Sequence, residues 1–441
     1  MTTDRWRNVR ASELAPGPAD VAPAYRAPDG SFALYNDYAS GVTLFVEDVP
    51  PLPPEGPLAL WARVDGQHPR PLGPKRSIDG YGVFTFPYGP VSMGVPDAGR
   101  FDVRTWGERI LDLHPLGGYK SRRICASVVG EAVPEAALRI ERMAGHVAPA
   151  HVAAFLSAAE SALGLEVARE ELWVRALAQE LSRVYNHVHG LARVAEAASQ
   201  NVGLAQAHAI AEEMLRLQGR HFGHRWLFGA LLPGGPGRHL ASSDRAKLGG
   251  ALGGLQEDFD ELWALFLESR IFIDRIQTTC PITREQAIEW GAVGPTLRAC
   301  GVVWDDRLRA PVAPYNDLFV SLPREVGGDA LARVVIRAEE VRASFLVLEQ
   351  LLDRWPGGST ATEPSLPPVA PNRGVGRVES PGGDLVYDVA VDQEGRVAAV
   401  NLRSASDANF PLFALGMRDA VFTDFHFAYE SFGLSFTETD G

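Results

Sequence analysis

The sequence is poor in cysteine, with only Cys125, Cys280 and Cys300 among 441 residues. No two of them form a C-x-x-C pair, so this chain alone offers neither a disulfide framework nor an obvious iron–sulfur or zinc site. A redox metal would have to come from elsewhere. Long hydrophobic runs are also missing. The opening MTTDRWRNVR contains no apolar stretch of the kind a signal peptide needs, and the most apolar segment, residues 147–165, is interrupted by His151 and Glu160. Neither a leader nor a membrane span is expected. Basic charge is in short supply as well: 42 Lys and Arg face 55 Asp and Glu, for a formal charge of −13. That balance, with no dense basic stretch, speaks against a nucleic-acid groove or an anionic-lipid patch. What remains, at 46% hydrophobic and 22% charged residues, is a globular composition of about three domain-equivalents. We expect a soluble chain, cytoplasmic or peripheral to a membrane.

Periodicity predicts an α+β fold that is mainly α: a central bundle of long helices, a β-rich amino-terminal region and a small β-hairpin or meander inserted near the carboxyl end. Residues 1–87 are rich in Pro and Gly, with VPPLPPEGP at 49–57 and β-prone runs at 42–46 and 82–86. Residues 88–441 form the second expected unit, with its helical core at 150–355. Leu177, Leu181, Val184, Val188 and Leu191 make the stripe of one long amphipathic helix. A helix at 243–272 entered by the capping pair Ser242 and Ser243, and another at 329–355, complete the expected bundle. After a Pro-rich break at 363–371, Leu385, Tyr387, Val389 and Val391 alternate between turns at 381–384 and 392–395. The β insertion is therefore placed at 374–404 and a cleft-closing tail at 410–441.

From Tyr88 onward six segments in order carry a more specific signal. They are Gly89-Pro90; RMAGHVAPAHVAAFLSAAESALG from Arg142; ELSRVYNHVHGL from Glu180; LLPGG ending at Gly235; DRIQTTCPITREQAIEWGAVGPTLRACGVVWDDRLRAPVAPY from Asp274; and RVESPGGDL from Arg377. Together they resemble the large subunit of membrane-bound [NiFe] hydrogenases and the quinone-site, 49-kDa-type subunit of respiratory complex I. The resemblance implies an energy-converting, hydrogenase-related branch and a reactive centre between two chain regions.

In the resembled hydrogenases four thiolates hold the metals, because soft metals in that setting need soft sulfur donors. Here the corresponding positions read Ala144 and Val147 near the start, Ser435 and Glu438 at the end. The resemblance thus implies degenerate ligand positions, no metal and no cofactor in this chain, and an iron–sulfur cluster in a partner subunit. A Mg²⁺ held by Ser435 and Glu438 has no further ligand in the pattern, and tail capping is the plainer use of these residues. With no sequence beyond the tail to remove, an unprocessed carboxyl terminus is expected.

Complex I relatives bind a quinone headgroup in the vacated cavity through a loop His and a Tyr. Their positions here hold Ser92 and Gly145, so a quinone would need a rewired cleft with Ser92 or His146 as donor. His146 is alternatively a helix-start histidine satisfied by backbone or water. His151 matches the hydrogenase pattern and is alternatively a packing residue. Arg298 is carried over as a cleft-facing cation, or is an internal arginine paired with Asp305 or Asp306. His187 and His189 cannot share one helical face, and Glu180 and Arg183, three apart, read as a surface ion pair.

The resemblance leaves two functions open: a structural or coupling component of a membrane-associated respiratory-type redox complex, or a quinone-reducing subunit of the NADH–quinone oxidoreductase kind. Whether this chain is itself an enzyme stays open. Quinone and NAD binding come as expectations of the second, and an active [NiFe] hydrogenase is the remaining alternative. Either way the implied partners are an iron–sulfur small subunit and membrane-arm subunits at the inner face of the cell membrane.

Overall fold

A computed structural model describes residues 70–441 apart from 74, 236–239, 310, 313, 357–371 and 441. It also describes three two-residue strands, β1 (Ala15–Pro16), β2 (Tyr25–Arg26) and β3 (Phe32–Ala33), paired antiparallel in that order. The β-prone run at 42–46 and the Pro-rich stretch at 49–57 lie outside the described residues. A four-stranded antiparallel sheet follows, built from β4 (Arg70–Pro71), β5 (Val83–Tyr88), β6 (Arg100–Trp106) and β7 (Arg109–Gly117) in the order β4-β7-β6-β5. On β6, Phe101, Val103 and Thr105 point inward in strict alternation, which buries one face of the sheet. Residue 87 falls inside β5, which pairs with β6 from Val83–Trp106 to Tyr88–Phe101. The sheet thus spans the boundary expected at 87/88.

The helical part runs through α1 (Ile124–Ser127), α2 (Val133–Ile140), α3 (Ala148–Leu163), α4 (Arg169–Ala197), α5 (Asn201–Phe222), α6 (Ser242–Glu268), α7 (Arg270–Ile276), α8 (Arg284–Glu289), α9 (Gly294–Ala299), α10 (Asp306–Arg309) and α11 (Ala330–Asp353). The expected stripe on α4 is buried throughout, from Leu177 to Leu191. It packs against α3, α5 and α11 around one large apolar core. The segment expected as one helix at 243–272 is two. Ser269 leaves helical geometry at ψ 95° and caps α7 by accepting from the Phe272 amide. Nor do Ser242 and Ser243 cap α6, since its N-cap is Ala241 and both serines lie inside the first turn.

The β insertion is an antiparallel meander of β8 (Asn372–Ser380), β9 (Gly383–Val391) and β10 (Val397–Arg403). Asp392 forms its second turn by accepting from the Glu394 and Arg396 amides at 3.0 and 2.8 Å. Strand β8 lies on α3, and Gly374 and Gly376 face the backbones of Ala158 and Ala154 so closely that no Cβ would fit. Helices α12 (Ala405–Gly416) and α13 (Phe425–Phe432) then close a second apolar core against β6, β7 and α9, in which Phe101, Phe413, Phe425 and Tyr429 meet edge to face or stacked.

Candidate functional site

Three segments far apart in sequence meet beside α4: the loop that leaves β5, the turn at Gly145–Val147 and the carboxyl-terminal tail. Gly99 makes room for the tail, because the Phe436 ring lies where a Cβ would project. Ser435 donates from its hydroxyl to Asp97 Oδ2 at 2.8 Å, contacts the Thr437 hydroxyl at 2.7 Å and donates from its amide to the Ser406 hydroxyl oxygen at 3.0 Å. Ser406 also donates to Glu438. Glu438 Oε1 lies 3.6 Å from His151 Nε2, and the other ring nitrogen of His151 meets the Tyr387 hydroxyl at 2.9 Å. Burial raises the Glu438 carboxyl, but His151, the more distant His146 and Ser406 outweigh it and hold the group below its ordinary value. Ser435 and Glu438 therefore hold the tail in place.

The turn itself is a single 3-10 turn directly before α3, and Phe228 covers Gly145 at 3.5 Å from where a Cβ would sit. His146 is half-buried at this turn, near His189 of α4. Burial first, then His146, Arg193 and His208, push the His189 imidazole down to about 4. One turn along the same face, Arg193 Nη2 donates to the Gly94 carbonyl at 3.2 Å and to Glu430 Oε1 at 2.8 Å. Arg193 thus joins the loop carrying Ser92 to the helix before the tail. In that loop Ser92 lies beside the Tyr88 hydroxyl, which is 2.7 Å from His426 Nε2.

Arg298 sits elsewhere, wholly inside the bundle. Its Nε donates to Glu340 Oε1 at 2.7 Å, its Nη1 to Glu379 Oε1 at 2.8 Å and to the Trp304 carbonyl at 2.7 Å, and Asp305 lies 3.5 Å away. Of the readings its sequence context allows, the internal arginine paired with Asp305 is the one observed; Asp306 pairs with Arg377 instead. The surface pair expected of Glu180 and Arg183 is likewise buried. Glu180 accepts from Tyr315 at 2.8 Å, Ser344 at 2.7 Å and Arg307 at 3.2 Å, while Arg183 donates to the Glu379 and Ser380 carbonyls at 2.6 and 3.1 Å.

His187 of this network can be assigned a tautomer. Arg337 has no lone pair to offer, so its contact with His187 Nδ1 at 3.2 Å makes that nitrogen the acceptor. Nε2 must then carry the hydrogen donated to Glu340 at 2.8 Å. His187 is neutral, in line with burial pushing it down to about 4. His189, stacked between Tyr185 and His208, is half-buried rather than solvent-facing.

The positions that the resemblance aligns with the nickel and iron ligands offer no thiolate. Ala144 and Val147 carry no donor atom, Ser435 is engaged by Asp97, and Glu438 by Ser406 and His151. The three cysteines do not replace them. All are buried, and burial pushes the Cys280 and Cys300 thiols up to about 11.

Residues 204–373 match the family described as the respiratory-chain NADH dehydrogenase 49 Kd subunit. The chain is 26% identical to the membrane-bound hydrogenase subunit alpha of Pyrococcus furiosus, over 70% of this chain and 76% of that one. It is 24% identical to the carbon monoxide-induced hydrogenase of Rhodospirillum rubrum, over 78% of this chain and 95% of that one. To an NADH-quinone oxidoreductase subunit of Carboxydothermus hydrogenoformans it is 28% identical, over 73% of this chain and 88% of that one. The chain is thus similar both to complex I 49-kDa-type subunits and to membrane-bound hydrogenase subunits. Its fold matches a chain of the membrane-bound sulfane sulfur reductase, an archaeal respiratory membrane complex, with TM-score 0.77 and 23% identity over 83% of this chain and all of that one. Among the described residues, no helix is long and apolar enough to cross a membrane.

Residue types alone did not single out Arg193, Tyr88, His426 or Asp97. The i, i+4 spacing of His189 and Arg193 on a helix whose other face is apolar was the one available signal.

Proposed function

We propose that this chain is the large-subunit-like component of a membrane-associated respiratory-type redox complex, in which it serves a structural or coupling role without a nickel–iron centre. The observation that carries this reading is the tail lock: Ser435 and Glu438, at the two carboxyl-terminal ligand positions, are spent on Asp97, Ser406 and His151. Packing and hydrogen bonds join the two segments that metal ligation ties together in the hydrogenases. The reading includes an iron–sulfur small subunit and membrane-arm subunits as partners, with the chain peripheral at the inner face of the membrane. Purification of the tagged chain from membranes tests it. The expected result is co-purification with a cluster-bearing small subunit and integral membrane subunits, and no hydrogen uptake or evolution. A monodisperse chain without partners, or hydrogen turnover, would overturn it.

A second reading has its own support. Tyr88, beside Ser92, places a hydroxyl 2.7 Å from His426 Nε2 at the loop where complex I relatives keep a donor for quinone. A headgroup there would be oriented by this pair and by Ser92, with His146 on the opposite segment. Binding of a quinone analogue to the purified complex, lost in Tyr88→Phe, is the expected result of this alternative.

A further inference from the structure

Between α3, α4 and β8 lies a cavity of about 400 Å³ whose wall includes Glu160, Arg175, Asp306, Arg377 and Glu379. At one end the charges are matched. Arg175 grips both oxygens of Glu160 at 2.7 Å, and the Gly234 amide adds a third bond at 2.7 Å. At the other end two acids share one donor. The single Nε–H of Arg377 serves Asp306 Oδ2 at 2.7 Å and Asp384 Oδ1 at 2.8 Å, and the two carboxyls lie within hydrogen-bond reach of each other.

The groups facing this pair come from several elements. Strand β8 supplies Arg377 and Glu379; β10 supplies Arg403, which donates to Asp384 Oδ2 at 3.0 Å; α9, α10 and the turn before α10 supply Arg298, Arg307 and Asp305. Arg298 is divided among Glu340, Glu379 and Asp305, and Arg307 is held by Asp305 and Glu180, so neither neutralises Asp306. Asp306 Oδ1 is buried with no hydrogen-bond partner among the described residues. Two carboxylates in contact cannot both stay ionised at little cost, and a bare charged oxygen out of water is costlier still.

We propose that Asp306 and Asp384 share one proton at neutral pH, and that this carboxyl–carboxylate pair is a proton-binding site reached from solvent through the cavity. Uptake adds one H⁺ to the Asp306 carboxylate, forming an O–H that donates to the Asp384 carboxylate. No electron moves, and release returns the proton to cavity water. The direction of titration agrees: burial, then Asp384 and Glu379, raise Asp306 well above its ordinary value, while Arg377 and Arg403 hold Asp384 below its own. Glu379, pushed up to about 7 by burial and by Asp305, is the neighbour able to exchange that proton near neutral pH. The site stands apart from the tail lock and does not depend on the function proposed above.

Infrared difference spectroscopy on the full chain in its complex tests it. At pH 7 the wild type minus Asp306→Asn spectrum should show the loss of one protonated-carboxyl band, and Asp384→Asn should shift or remove the same band. Other buried acids, such as Glu171 and Glu430, contribute equally to both spectra and cancel. Asp306→Asn should also keep the wild-type urea midpoint at pH 7, since a neutral amide replaces a neutral acid. Val375→Trp, at the exposed rim of the cavity, should slow the deuterium shift of the band. An unchanged carboxyl region in Asp306→Asn, or a chain that loses its fold at pH 7 through that substitution, would overturn the proposal. A deuterium shift as fast in Val375→Trp as in wild type would overturn the cavity as its route.

Discussion

Glu438 of the tail lies 3.6 Å from His151 on the first buried turn of α3, with Ser406 donating to the same carboxylate. This relationship ties the tail to the helical bundle. Glu438 is 5% exposed and His151 wholly buried, so removing one partner costs more than it would in a surface pair of the same geometry.

The Glu438 carboxyl is held below its ordinary value, so its contribution to stability is present above the unfolded value of about 4.3 and is lost as pH falls through the folded one. Protection factors at residues 433–439, with the intrinsic pH dependence of amide exchange divided out, should therefore fall on acidification below about pH 4. Glu438→Gln should exchange faster than wild type at pH 7, by roughly 1.5–3 kcal/mol of local stability, and show a flatter acid response. Mass spectrometry of deuterated peptides reads both.

Arg298→Met should leave Glu340, Glu379 and Asp305 buried without their shared cation, at a cost of about 3–5 kcal/mol. Arg298→Lys should rescue little, because a point charge cannot reproduce three donor directions. Urea denaturation, or soluble yield where the variant does not fold, provides the measurement.

How much of this was legible beforehand depended on the distance over which the cause acts. The α4 stripe and the β8–β10 meander arise from periods of 3.6 and 2 within one segment, so the sequence displays them directly. Glu180 and Arg183 show the limit. Their i, i+3 spacing suits a surface pair, and only tertiary partners from α10, α11 and β8 reveal them as buried. A clue did exist: Glu180 and His187 fall on the same face as Leu177, Val184 and Leu191, so the apolar stripe carried two polar residues that needed partners. The tail lock was half legible, since the positions of Ser435 and Glu438 followed from the family pattern. Their partners Asp97 and Ser406 come from segments with no motif of their own.

Gly376→Ala should cost about 1–3 kcal/mol or more, because the new methyl meets the Ala154 backbone of α3 and neither β8 nor α3 can yield locally. Gly253→Ala on α6, with open space around it, should instead stabilise by about 0.5–1 kcal/mol. Thermal unfolding of the pair separates the two glycine roles, and equal shifts would contradict the close α3–β8 packing.

Cys125, Cys280 and Cys300 are 1%, 2% and 3% exposed, and burial raises the Cys280 and Cys300 thiols to about 11. Native protein at pH 8 should therefore leave a thiol reagent unreacted, and all three cysteines should label after denaturation. Rapid labelling of any one in native protein would place it on an accessible surface.

On the function proposed above, side chains of this chain occupy the place that a metal centre takes in the hydrogenases. Elemental analysis of the complex, purified without oxygen, tests this most directly. The account predicts iron from the partner's clusters and no stoichiometric nickel. Nickel near one atom per chain would contradict it.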